Sequence, residues 1–139
     1  MSYLLDTNAV SEPGRASPDR GFMRWYSGVD TDGLFLSALT VGELRKGIAL
    51  IPPGERRRTL ERLNAAVSQR FADQVLPVDS RVAEAWGELS ATLRRAGVVV
   101  GAVDELIAAT ALVHGLVLVT RNASHFHSTG CQLLSPWSA

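Results

Sequence analysis

The sequence predicts an α/β domain built on a mostly parallel sheet, and three observations carry that expectation. Short apolar runs alternate along the chain with longer stretches whose apolar residues recur at helical spacing. Parallel neighbours need crossover helices, which this alternation supplies between consecutive runs. Finally, 139 residues with 46% hydrophobic side chains suit a single core, so one domain is expected over 1–139.

Each element follows from its own signals. Tyr3-Leu4-Leu5 reads as a first strand ending at the polar Asp6-Thr7-Asn8, a strand-to-loop junction. Ser17-Pro18 gives an N-cap followed by proline at the first helical position, and Phe22, Met23, Tyr26 and Val29 continue a helix that ends near Gly28 to Asp30. Leu34-Phe35-Leu36 is a second strand. After Ser37, the stretch Thr40-Val41-Gly42-Glu43 matches a capping box and places Glu43 in the first turn of the next helix. Pro52-Pro53-Gly54 breaks that helix, and Leu60, Leu63, Val67 and Phe71 form an apolar stripe on a charged one.

Val75 to Val78 makes a weak third strand because Pro77 has no N–H for a ladder. Asp79 or Ser80 caps a helix carrying Val82, Trp86, Leu89 and Leu93, with Gly97 just past its end. Beyond Val98 to Val103, Asp104 lies near the start of a helix marked by Ile107, Ala108, Ala111 and Leu112 and closed at His114-Gly115. Leu116-Val117-Leu118-Val119 has the continuous apolar character of a strand buried on both faces, and Gln132-Leu133-Leu134 adds an edge strand.

Composition narrows the possible functions. Lys+Arg 14 against Asp+Glu 14 gives zero formal charge, so bulk electrostatics argue for neither nucleic acid nor membrane. With one cysteine, Cys131, there is no intrachain disulfide and no cysteine-based zinc site. The start of the chain lacks the basic and apolar regions of a secretory signal, and Leu106 to Thr120 falls short of the roughly 20 residues needed to span a bilayer. A cytoplasmic setting with no membrane association is expected.

In open parallel sheets the ligand crevice lies beyond the carboxyl ends of the strands. Asp6 and Asn122 follow strands on that side, while Glu43 and Asp104 sit in first turns of helices that begin there. Two carboxylates about 4 Å apart repel by roughly 4 kcal/mol at an effective dielectric of 20, so three acids on one rim call for a cation, a shared proton or separation. Oxygen-only donors suit Mg²⁺ or Mn²⁺, ions that take remaining ligands from phosphate and activate water for phosphodiester hydrolysis.

These residues, with their neighbours, resemble a known family. Leu4-Leu5-Asp6-Thr7-Asn8, then Glu43 within Ser37 to Leu44, then Val103-Asp104-Glu105-Leu106 and on to Ala111, then Leu118 to Asn122 with His125-Phe126, are similar in order and separation to the PIN-domain nucleases. Within these, the chain is most similar to the VapC and FitB type toxins of bacterial type II toxin–antitoxin pairs, over Tyr3 to Leu134. The resemblance implies a three-layer α/β/α sandwich and a Mg²⁺- or Mn²⁺-dependent endoribonuclease, commonly a homodimer, held inactive by a cognate antitoxin. It assigns metal binding to Asp6, Asp104 and Glu43, and a catalytic position to Asn122. At that last position many members carry aspartate, whereas here an amide stands, with His125 three residues on. Thr7, Asn8, Ser37 and Thr40 stand beside these acids and are suited to orienting water or substrate oxygens.

Simpler roles compete for each residue. Asp6 suits an Asx turn, Glu43 a capping box, Asp104 a helix dipole and Asn122 a turn. Their coincidence on one rim favours a site. No catalytic role is expected for His114, His125 or His127, and Trp25 and Trp86 read as core or subunit-interface residues. Arg45, Lys46, Arg56, Arg57, Arg58, Arg62 and Arg70 face only Glu55 and Glu61 over that stretch, which makes Arg56, Arg57 and Arg58 the candidate contacts to an RNA backbone. The rival readings are a non-catalytic metal- or nucleic-acid-binding or degenerate PIN module, and a haloacid-dehalogenase-type phosphatase with Asp6 as nucleophile. The second lacks its paired acid, because Asn8 stands two residues after Asp6.

Overall fold

A computed structural model of the chain describes residues 1–138; Ala139, the last residue of the predicted domain, lies outside the described residues. Five strands, β1 (Tyr3–Leu5), β2 (Leu34–Ser37), β3 (Val75–Leu76), β4 (Val117–Val119) and β5 (Leu133–Leu134), pair in parallel in the order β3-β2-β1-β4-β5. The connecting helices are α1 (Thr7–Ser11), α2 (Arg20–Gly28), α3 (Ala38–Ala49), α4 (Glu55–Arg70), α5 (Ser80–Arg95) and α6 (Ala102–His114). Short 3-10 turns occupy Glu12–Gly14, Thr31–Gly33 and Ala123–Thr129.

The chain lays strands outward from β1 to β3, then returns to place β4 and β5 on the other side. The reversal falls between β1 and β4, and a crevice opens beyond their carboxyl ends. Successive residues of a strand face opposite ways, so the double-apolar runs serve two cores. Leu4 and Leu118 pack with Leu89, Leu93, Ile107, Ala108 and Phe126 on one face, while Leu5 and Val119 pack with Ala9, Val10, Phe22 and Phe71 on the other. Helices cover both faces of the sheet, the three-layer α/β/α arrangement.

Several local readings change. The polar residues after β1 are no loop, because Asp6 caps α1 directly and accepts from Thr7 N. The cap of α2 is Asp19, whose carboxylate takes Phe22 N at 2.9 Å; Ser17-Pro18 lies just before it. Pro77 shortens the third strand to Val75–Leu76. Helix α3 starts one turn earlier than the capping-box reading places it, since Ser37 closes β2 and its Oγ accepts from Leu39 N at 3.1 Å. Glu43 therefore lies in the second turn and leaves the helix cap unaided. At the end of α5, Gly97 takes φ +72°, with Gly97 N bonded to Arg94 O and Val98 N to Leu93 O, the paired closure that favours glycine.

Of the two tryptophans expected in the core or at a subunit interface, Trp25 packs against one core cluster and Trp86 belongs to neither. Trp25 meets Tyr3 edge-on at 5.3 Å beside Phe22, and Trp86 donates its indole N–H to Glu105 at 3.1 Å. Cys131 is half-buried, its thiol directed to Ala108 O at 3.3 Å and pushed up in pKa by burial. Among the described residues, no helix is long and apolar enough to cross a membrane.

Candidate active site

Asp6 stands at the switch point, its backbone N–H bonded to Val119 O at 2.9 Å across the β1–β4 boundary. Its side chain is 6% exposed and is held at both oxygens. Thr7 N donates to Oδ1 at 2.8 Å, and Thr120 Oγ1 donates to Oδ2 at 2.8 Å. Those donors stabilise the charge that burial opposes.

Thr7 also links the second acid to the first. Its hydroxyl donates to Glu43 Oε1 at 2.6 Å, so one residue holds Asp6 through its amide and Glu43 through its side chain. The capping role available to Glu43 in the sequence is thereby removed, and its carboxylate faces the residue beside Asp6. Thr40, in the first turn of α3, is fully buried, and among the described residues its Oγ1 is the buried side-chain polar atom without a hydrogen-bond partner. Asn8 Oδ1 accepts from Arg121 N at 3.2 Å and so ties α1 to the loop after β4.

The third acid, Asp104, lies in the first turn of α6 and meets His125 Nε2 at 3.0 Å through Oδ2. Sequence reasoning missed this histidine. Its signals there were its place in the His125-Phe126 motif and its position three residues after Asn122. Asn122 itself lies past the end of β4 rather than at it, preceding the Ala123–Thr129 turn, and engages the site through its backbone: Asn122 N donates to Thr120 Oγ1 at 3.1 Å, and Asn122 O accepts from His125 N at 2.9 Å. Glu43, Thr7, Asp6, Thr120, Asn122, His125 and Asp104 thus form one hydrogen-bonded path along the rim.

Electrostatics along this path are unbalanced. Burial raises the pKa of Asp6 above the ordinary carboxylate value; the Thr120 and Thr7 donors oppose that rise, the Asp104 charge adds to it, and His125 lowers it. Among the described residues no Lys or Arg forms a salt bridge with Asp6, Glu43 or Asp104. A cation answers that deficit, and hard carboxylate oxygens match Mg²⁺ or Mn²⁺. Among the described residues no three His, Cys, Asp or Glu side chains converge into a ready metal cage.

Glu43, with Thr7, lines a groove of about 700 Å³ whose walls include Leu63, Val67 and Phe71; Asp6 and Asp104 are not among its lining residues. Several basic residues near it are engaged. Arg45 pairs with Glu61 at 2.6 Å, Arg57 reaches Ile51 O at 3.4 Å, and Arg70 lies 4.6 Å over the Phe71 ring. Arg56 and Arg58 are exposed on the first turns of α4.

The comparisons with known proteins agree with this geometry. A family model described as PIN domain matches residues 3–130. The VapC ribonuclease Y4jK of Sinorhizobium fredii is 40% identical over 135 residues, which is 96% of each chain. Toxin FitB of Neisseria gonorrhoeae is 36% identical over 135 residues, 96% of this chain and 97% of its own. The crystal structure of FitAcB from Neisseria gonorrhoeae superposes with a TM-score of 0.90 at 36% identity, covering 99% of both chains. With the matched segment taking in β1 through the turn after β4, and with acids at the switch point of a parallel sheet, the chain belongs to the PIN-domain family, among its VapC and FitB type toxins.

Proposed function

We propose that this chain is a Mg²⁺- or Mn²⁺-dependent endoribonuclease that acts as the toxin of a toxin–antitoxin pair, with RNA as substrate, a cognate antitoxin as partner and a homodimer as its assembly. The single observation that carries the reading is the path joining Glu43, Asp6 and Asp104 at the β1–β4 switch point. Asp6, Asp104 and Glu43 would hold the ion. When bound, it supplies Lewis-acid polarisation of the phosphodiester and acidifies water for attack.

The remaining steps belong to the chain. Thr7 and Thr120 keep Asp6 in one orientation, which spares reorganisation when charge develops on the substrate. Thr7 holds Glu43 through Oε1, which leaves its second oxygen for the ion. Arg56, Arg57 and Arg58 lie at the start of α4, where they would contact a phosphate backbone.

Induced expression in a bacterial host tests the reading. The wild-type chain should arrest growth and shorten cellular RNA, co-expression of its cognate antitoxin should relieve both, and Asp6→Asn should cause neither. A variant as toxic as the wild type would remove Asp6 from the chemistry, and growth arrest with intact RNA would reject the ribonuclease reading.

A further inference from the structure

We infer that His125 is a positioning residue for Asp104, and that the turn from Thr120 to His125 sets the spacing between Asp104 and Asp6. The inference deepens the nuclease reading and rests on it. Asp6 and Asp104 belong to different elements, one after β1 and the other in α6, and nothing local to α6 orients the second. The N-cap of α6 is Gly101, which offers no side chain, and among the described residues His125 Nε2 is the one hydrogen-bond partner of the Asp104 side chain. An ionised carboxylate only accepts, so Nε2 carries the hydrogen in this contact.

His125 is itself placed from two directions. Its backbone N–H is fixed by Asn122 O at 2.9 Å, and its ring meets Phe126 edge-on at 5.2 Å, where Phe126 is buried in the core beneath α5 and α6. Thr129 Oγ1 donates to Phe126 O at 2.6 Å and closes the turn. At its other end the turn begins at Thr120, whose hydroxyl holds Asp6 Oδ2 while accepting from Asn122 N. Each of these links is a hydrogen bond of ordinary length, and together they run from one acid to the other. Asn122 serves this path through its backbone N–H and C=O, which explains how an amide occupies that position without breaking the link.

His125 and Asp104 side chains are 39% and 34% exposed, so their contact contributes little to global stability. Its consequence is geometric, and the effect should fall on ion binding. Calorimetric titration of Mn²⁺ into the wild type, His125→Ala, His125→Gln and Asp6→Asn at one pH and salt concentration separates the possibilities. Loss of a group that orients a ligating carboxylate weakens metal affinity by about tenfold or more. His125→Ala should show that loss with an unchanged melting temperature, and His125→Gln, whose amide N–H reaches the same oxygen, should recover most of it. Equal Mn²⁺ affinity in the wild type and His125→Ala overturns the inference. An equal loss in the Ala and Gln variants also overturns it, because the imidazole rather than its N–H contact would then matter. A wild type that takes up no Mn²⁺ rejects the metal-dependent reading, and the inference falls with it.

Discussion

Asp6 keeps a carboxylate where burial disfavours charge, and its two donors do not fully offset that cost. Its folded pKa lies above its unfolded one, so the folded chain binds more protons in the interval between them. Stability therefore falls as pH rises through that interval, and the penalty is complete above it. In metal-free buffer at neutral pH, Asp6→Asn should melt at a higher temperature than the wild type, and the gap should close once the pH drops below the ordinary carboxylate range. Scanning calorimetry across pH checks this, and a lower melting temperature for the variant at pH 7 contradicts it. Asp6 was readable in the sequence because a strand end is a local feature. The partnership of His125 with Asp104 was not, since the residues lie 21 positions apart and only the packing of the last turn against α6 brings them together.

At the level of elements, the strands and longer helices followed from apolar spacing, as did the Asp79 cap of α5, while α1 and the starts of α2 and α3 did not. Ser37 and Thr40 are both competent caps, and spacing alone cannot choose between them. The choice is made by β2 running into α3 without a loop, which puts Ser37 at the turn of the chain. That shift of one turn carries Glu43 away from the cap and toward Thr7, turning a structural residue into a site residue. On α4, Arg57 is partly engaged by Ile51 O, whereas Arg56 and Arg58 project into solvent. Each phosphate contact to a single strand contributes about 0.7 to the slope of log affinity against log salt. Replacing both Arg56 and Arg58 with alanine should weaken binding to RNA of any sequence and flatten that slope by about 1.4, as fluorescence anisotropy at several salt concentrations would read. An unchanged slope assigns these residues to another surface.

Across the whole molecule, the end of the chain is fastened to its beginning in a way that sequence spacing does not reveal. Glu12, 2% exposed, accepts from Trp137 Nε1 at 2.8 Å, from Asp19 N at 2.9 Å and from Arg15 at 3.4 Å. Burial alone would raise its pKa, yet these donors together hold it below the ordinary value. Asp19 in turn accepts from Ser138, and Gly21 leaves room for Pro136 O and Ser138 where a Cβ would come within 2.8 Å. Trp137→Phe keeps an aromatic ring against Phe22 and removes one donor from a buried carboxylate, which should cost about 1–3 kcal/mol in urea unfolding. A variant as stable as the wild type would show the clasp to be dispensable.

The sheet order matters more widely, because it alone brings residues from β1, α3, α6 and the turn after β4 to one rim. In the proposed function this rim cuts RNA with the help of a divalent ion. Purified wild type and Asp6→Asn incubated with total cellular RNA in Mg²⁺, Mn²⁺ or EDTA, with every new 5′ end mapped, tests it most directly. Discrete cuts that need the ion and vanish in the variant are the expected result; cuts that persist in EDTA or in Asp6→Asn, or intact RNA with metal bound, would contradict it.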